Sequence, residues 1–423
     1  MNHFELRDGE LWCEDVSLAS LADEVGTPVY VYSTATLQRH YRVFREALDA
    51  HPTLGKPLIA YAVKANSNLS VLGVLGRLGA GADTVSEGEI RRALAAGVPA
   101  DRIVFSGVGK TTAEIAMALR AGVAQINVES EPELESLTRV AREMGARPAV
   151  AIRVNPDVGA GGHAKISTGK AENKFGVSLA EAERLYAAVF AAGVLAPVGV
   201  ACHIGSQITD LEPLEAAFGV MRALVERLRG SGLEVTRLDL GGGLGVPYFS
   251  QPDPPTPAAF AAMAARAVGS LDVELAFEPG RVIAANAGVL VSQVIHVHAR
   301  PDGRRFLVLD AAMNDLIRPA MYEAFHDICP VNPRVGAPVL YDVVGPVCET
   351  GDTFARARPL PPLQAGDRVA FMSAGAYGAV MASEYNSRPL APEVLVSGDR
   401  LAIVRPRPSY AEMLGRETLA PWV

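Results

Sequence analysis

The sequence predicts an α/β fold: a (β/α)8 barrel followed by a β-rich second domain. Three observations carry this. Eight short apolar runs recur from residue 58 to residue 277, and most are trailed by an amphipathic helical pattern. Eight such β units in roughly 230 residues suit a closed barrel. After Gly288 the rhythm breaks into strand-like runs with little helix and dense Pro and Gly between them. The alternative, an open doubly wound sheet, lacks its glycine fingerprint at the first strand.

Taken in order, a short helix spans Leu18 to Val25, and Val29-Tyr30-Val31-Tyr32 reads as a strand. Thr34 or Thr36 is positioned to cap a helix running to about Ala50. Barrel strands are expected near 58–63, 80–85, 103–105, 126–128, 149–154, 198–203, 235–240 and 273–277. Helical patterns follow at Glu87 to Ala96, Thr111 to Ala121, Glu131 to Met144 and Leu179 to Ala192. Pro252 to Pro257 is a surface spacer before a helix from Ala258 to Val268. Beyond it, strands are expected at Val289 to Val297, Arg305 to Asp310, Pro338 to Val344, Arg368 to Met372, Glu393 to Val396 and Leu401 to Val404. The domain reading is 36–285 for the barrel, and 1–35 plus 286–423 for the β-rich domain.

Composition narrows the function. The 423 residues are 49% hydrophobic and carry a formal net charge of -8, with Lys and Arg scattered. Nucleic acid and acidic membrane surfaces are poor partners for such a chain. Met1 to Asp15 shows no signal-peptide pattern, and no apolar run reaches transmembrane length. Cys13, Cys202, Cys329 and Cys348 lack metal-like or disulfide-rich spacing, which suits a reduced cytoplasm.

The chemistry collects where barrel strands end, because that face carries the active sites of this architecture. The ends offer Lys64, Asp83, Arg153, His203, Gly241-Gly242-Gly243 and Glu278-Pro279-Gly280-Arg281. A lysine among apolar neighbours has a lowered pKa and serves as a nucleophile. The glycines let backbone N–H groups approach an anion, and late barrel loops are a usual phosphate site. A phosphate site, a Schiff-base lysine and no dinucleotide fingerprint point to pyridoxal 5′-phosphate. His203 is then placed to stack on the ring. Glu278 can pair with the pyridine nitrogen and deepen the electron sink. Taken singly, each residue has a plainer reading: a surface lysine, a core histidine, an ordinary glycine turn.

The joint pattern resembles the diaminopimelate decarboxylase family, within the alanine-racemase-like fold class. The resemblance covers essentially the whole chain. It rests on Tyr61-Ala62-Val63-Lys64-Ala65-Asn66, His163 to Gly169 with Lys174-Phe175-Gly176, Cys202 to Ile208, Asp239 to Gly243 and Glu278 to Arg281. It rests further on Asn314 to Pro319 with Tyr322, Cys348-Glu349 with Asp352, and Tyr377-Gly378. The resemblance implies that Lys64 holds the cofactor as a Schiff base, His203 stacks on it and Glu278 meets its ring nitrogen. It implies that Ser206, Gly243 and Gly280 bind the phosphate, that Tyr377 also contacts the cofactor, and that Asp83 and Arg281 belong to the cofactor site. Arg281, Arg318, Tyr322, Glu349 and Tyr377 are the implied substrate ligands, with Cys348 as proton donor. Cys348 and Glu349 are expected to reach the site of a partner subunit, so a homodimer is implied. The implied reaction turns meso-diaminopimelate into L-lysine and CO2.

The chemistry is consistent with that implication. The substrate's distal end carries an ammonium and a carboxylate, which Glu349 and the planar forks of Arg281 and Arg318 suit. An arginine left without its anion would reject lysine. Three rivals remain: a racemase on the same scaffold, a decarboxylase for ornithine, arginine or a carboxylated polyamine, and a cofactor carrier without catalysis. The acidic Glu278 argues against the first and the Arg318 segment against the second. The residues after Gly288, holding Arg318, Cys348 and Tyr377, argue against the third.

Overall fold

The computed structural model describes residues 2–159, 168–169, 173–248 and 253–423. The His163 to Lys165 stretch lies outside the described residues. The chain divides into two compact units. One is Gln38–Pro247 with Gln251–Ile283; the other is Met1–Leu37, Tyr248–Ser250 and Ala284–Val423.

The first unit is a closed parallel barrel, as the sequence predicts. Its strands are Leu58–Ala62, Gly81–Thr84, Ile103–Phe105, Gln125–Val128, Ala149–Arg153, Ala196–Ala201, Arg237–Asp239 and Glu274–Phe277. Each pairs with the next in sequence, and the eighth closes on the first. These runs are apolar because both faces are covered, by neighbouring side chains within and helices without. The helices start where a hydroxyl or amide satisfies their free N–H groups. Asn68, Ser86, Thr111, Ser130, Ser178 and Thr256 each accept a backbone N–H bond at a helix start. Each such cap stabilises its helix by about 1 kcal/mol. Glu131–Met144 then buries Leu134, Leu137, Val140 and Ala141, the i, i+3, i+6, i+7 face that its periodicity predicts.

The β-rich unit centres on a nine-stranded sheet. Its order is Thr353–Leu360, Val339–Val344, Arg305–Leu309, Gly288–Ala299, Val29–Ser33, Glu393–Ser397 and Arg400–Arg405. Arg368–Phe371 pairs with Gly288–Ala299 and with Ile328–Pro330. Phe4–Arg7, Glu10–Cys13 and Val16–Ser17 form a separate small sheet. Its Leu11 and Cys13 join Leu18, Leu21, Val29, Val31, Val289, Val291 and Val394 in one buried core.

The structure corrects three local expectations. Ser33, not Thr34 or Thr36, caps the helix Thr34–Asp49: its Oγ accepts the Thr36 N–H at 3.0 Å. Glu14 reinforces that end by accepting from the Ala35 N–H and from the Ser33 hydroxyl. The strand Thr353–Leu360 was not expected, nor were the short N-terminal strands. Finally, Lys64 is not the last residue of its strand. The strand stops at Ala62, and Lys64 sits in a 3-10 turn, Val63–Ala65.

Candidate active site

In the barrel unit, the turn after the first strand aims Lys64 at the second strand. Its Nζ lies 2.5 Å from Asp83 Oδ2, and the Asp83 side chain is fully buried. The lysine's company is therefore a buried carboxylate and not only apolar surface. Asp83 Oδ1 has no partner among the described residues.

The seventh and eighth strands end in a pair of acids. Asp239 Oδ1 accepts the Gly241 N–H at 3.0 Å, and its Oδ2 accepts from Asn127 Nδ2 at 3.3 Å. Asn127 is itself held by Gln125 and by the Ser106 hydroxyl. Asp239 also hydrogen-bonds Glu278 side chain to side chain. Burial first, then the negative charges of Asp239 and Asp83, push the Glu278 carboxyl well above the usual range, against the pull of Lys64. Burial also raises Asp239, to about 6. Two adjacent buried carboxylates do not both ionise readily, so they share a proton. Asp239 already receives two donors, which leaves the proton on Glu278. Glu278 Oε1 is buried and meets no partner among the described residues.

His203 sits just beyond the sixth strand. Its Nδ1 accepts the Gly242 N–H at 3.2 Å, so a neutral ring carries its proton on Nε2. Burial, then Lys64 and Arg153, hold the imidazole well below its ordinary pKa. A flat neutral ring suits stacking better than a cation does. Arg153, by contrast, is committed to Glu129 at 2.8 Å and lies over the Phe175 ring.

The glycine run has a packing reason as well. A Cβ on Gly242 would sit 2.2 Å from the Glu278 carbonyl oxygen, and one on Gly243, at φ +117°, 2.6 Å from that of Gly205. Only glycine lets the sixth, seventh and eighth loops close on one another. The N–H groups of Gly243 and Gly280 meet no acceptor among the described residues. Ser206 Oγ accepts from Arg281 Nε at 3.3 Å and Nη2 at 3.1 Å.

Pyridoxal phosphate fits this donor set. An amine for its aldehyde, a partnerless carboxyl oxygen for its ring nitrogen, a neutral ring and two uncommitted backbone N–H groups lie at the ends of barrel strands.

The β-rich unit holds the remaining predicted residues. Arg318 opens the helix Arg318–Tyr322 and is buried. Its Nη1 lies 2.7 Å from His326 Nε2, and its Cζ stands 4.9 Å from the Tyr248 ring. Tyr322 closes the same short helix and is half-buried. Tyr377 is half-buried with φ +56°, a left-handed conformation uncommon for a tyrosine. Cys348 and Glu349 stand exposed on a loop. Cys348 N–H donates to Asn386 Oδ1, and Glu349 hydrogen-bonds Tyr385, raising the phenol's pKa. Buried Asp352 pins that loop from inside by accepting the Val347 and Met313 N–H groups at 2.7 and 2.6 Å.

Residues 34–285 match the family described as pyridoxal-dependent decarboxylase, pyridoxal binding domain. The chain is 50% identical to the diaminopimelate decarboxylase of Pseudomonas fluorescens, covering 100% of both chains. The chain belongs to the diaminopimelate decarboxylase family. The Zymomonas mobilis diaminopimelate decarboxylase is 48% identical over 99% of each chain. A solved diaminopimelate decarboxylase from Helicobacter pylori, complexed with L-lysine, superposes with a TM-score of 0.90 at 40% identity, covering 94% of this chain and 98% of that one. The cofactor of this pyridoxal-dependent family is pyridoxal phosphate.

Sequence reasoning missed four residues of these diaminopimelate decarboxylase sites. Asp239 does carry a signal, an acid shortly before three glycines, but one that names no role by itself. Glu129, Asn127 and His326 carried no such signal, since their partners lie on other elements or beyond a turn.

Proposed function

We propose that the protein decarboxylates meso-2,6-diaminopimelate to L-lysine and CO2, in the cytoplasm, as a homodimer whose subunits share active sites. The observation that supports this most is the partnerless Glu278 Oε1, an acidic group suited to a ring nitrogen, in a chain related over its full length to diaminopimelate decarboxylases. No helix among the described residues is long and apolar enough to cross a membrane.

Pyridoxal phosphate, when bound, supplies the electron sink that accepts the pair released as CO2 departs. Lys64 anchors the cofactor covalently, and Asp83 balances the charge on its nitrogen. Glu278 holds a proton at the ring nitrogen through Oε1, with Asp239 behind it as its proton-sharing partner. His203 covers one ring face. Gly243, Gly280 and Ser206 grip the phosphate. Arg281 and Tyr377 position the substrate next to the cofactor. Arg318 and Tyr322 bind the distal carboxylate and Glu349 the distal ammonium. Cys348 Sγ returns one proton to the α-carbon, so each turnover consumes one proton and yields a single stereoisomer. Cys348 and Glu349 serve the neighbouring subunit's site.

The test offers the purified protein, loaded with pyridoxal phosphate, each of the three stereoisomers of diaminopimelate. CO2 and L-lysine should appear together from the meso isomer. Turnover of ornithine or lysine in its place would overturn the substrate reading. Borohydride should fix the cofactor on Lys64; a label elsewhere would overturn its role.

A further inference from the structure

Arg318 is buried to 5% exposure. A long guanidinium side chain reads a carboxylate bidentately only if its plane is held, and its own stem does not hold it. His326, eight residues on, is buried to 2% and faces it. Two hydrogen bonds at its ring nitrogens identify its tautomer. A guanidinium only donates, so the Nε2 that meets Arg318 Nη1 at 2.7 Å is a bare acceptor. The Met372 carbonyl only accepts, so the Nδ1 that meets it at 2.8 Å carries the proton. His326 is therefore a neutral imidazole in one tautomer. The Tyr248 ring packs edge-on against it at 5.7 Å and 78°, and lies against the Arg318 guanidinium as well. Arg358 Nη1 donates to the His326 carbonyl at 3.1 Å and fixes its backbone.

The choice of a neutral acceptor has a consequence. A carboxylate in the place of His326 would orient Arg318 equally well but would neutralise it. An imidazole lone pair fixes the plane and adds no negative charge of its own. We propose that His326 is a specificity-determining positioning residue: it holds the Arg318 guanidinium in the plane that reads the distal carboxylate of the substrate, without cancelling its charge. This rests on the role proposed above for Arg318. The histidine touches no reacting atom; it acts through the arginine.

Two amides separate the two hydrogen bonds. His326→Asn keeps a donor where Nδ1 stands and withdraws the acceptor from Arg318. His326→Gln reaches further and sets its carbonyl oxygen where Nε2 stands. Both are measured as full-length, cofactor-loaded protein, beside Arg318→Ala. The readouts are KM and kcat for meso-diaminopimelate, and the affinity for cadaverine read from the absorbance change it causes in the bound cofactor. Cadaverine, a plain 1,5-diamine, has no distal carboxylate, whereas L-lysine keeps it because CO2 leaves from the other end. His326→Asn should raise KM for diaminopimelate by about tenfold or more, the equivalent of one hydrogen bond to a charged group. Its kcat should stay within about twofold and its cadaverine affinity should not change. His326→Gln should restore most of the lost affinity. Equal losses in the two amide variants, or a fall in cadaverine affinity in step with diaminopimelate, would overturn the proposal and leave His326 as packing. If Arg318→Ala itself fails to discriminate the two ligands, the role of Arg318 falls. If Arg318→Ala discriminates and His326→Asn does not, only the role of His326 falls.

Discussion

At the scale of single residues, the role proposed for Glu278 at the ring nitrogen, with Asp239 behind it, is open to a direct test. Glu278→Gln keeps the shape and removes the ionisable group. Cofactor should still be trapped on Lys64 by borohydride, while kcat falls by at least about a hundredfold; an unchanged kcat would free Glu278 from any part in tuning the ring. Arg318→Ala should cost on the order of 2–5 kcal/mol in kcat/KM for diaminopimelate, as for a desolvated charged contact. Steady-state kinetics with a series of distal-end analogues would read it, the penalty shrinking where the analogue lacks the carboxylate. Much of this was legible beforehand. Lys64, His203 and Glu278 stand just past apolar runs, where a barrel puts its chemistry. The true company of Lys64 was not legible, because Asp83 reaches it from the neighbouring strand, and sequence alone does not give the register of that pair. The same holds for Arg153, a strand-end residue tied to Glu129 from another strand's end.

At the scale of elements, the helix Glu87–Ala95 carries a titration that stability should report. Burial, with Asp83 adding and a Val85 N–H bond opposing, pushes Glu89 from its ordinary 4.5 up to about 7. The folded protein therefore keeps a proton that the unfolded chain has lost between those two values. Stability should fall as pH rises from about 4.5 to 7, and the penalty is complete above that window. Glu89→Gln should flatten this slope and stabilise the protein above pH 7, by up to about 3 kcal/mol. Denaturant midpoints across that pH range would show it. Ser33→Ala removes the cap of Thr34–Asp49 and leaves Glu14 without its hydroxyl donor; about 1 kcal/mol should be lost in the same assay. Helices were the more legible elements, since caps and period agree. The strand Thr353–Leu360 escaped because it is an edge: among the described residues it pairs only with Val339–Val344, tolerates Arg356, Arg358 and Pro359, and so lacks a clean alternation. Ser33 is hard to read as a cap because it also ends a buried strand, and sequence alone does not say where one element yields to the next.

At the scale of the whole molecule, the proposed dimer makes a direct prediction. Lys64→Ala and Cys348→Ala homodimers should each be nearly inactive. Mixed and allowed to exchange subunits, they should regain up to about half of the wild-type activity per heterodimer, because one of the two sites is intact. Exchange without recovery would place Cys348 in its own subunit's service. The eight-fold rhythm and the change after Gly288 made the barrel and the β-rich region readable, whereas the order of the large sheet was not, since its neighbours are far apart in sequence. That order also sets a timetable. Val31 lies between Val289 and Val394, its ladder partners on either side. A ribosome that adds about 5–20 residues per second delivers the second of these partners tens of seconds after Val31 itself. Every barrel strand and its partners have emerged well before then. Val-Tyr-Val-Tyr, apolar and with both edges open, must be kept from pairing with other nascent chains throughout that interval. A strand among the first to be synthesised is thus among the last to find its place, and a message cut short before Glu393 would leave it without one side of its ladder.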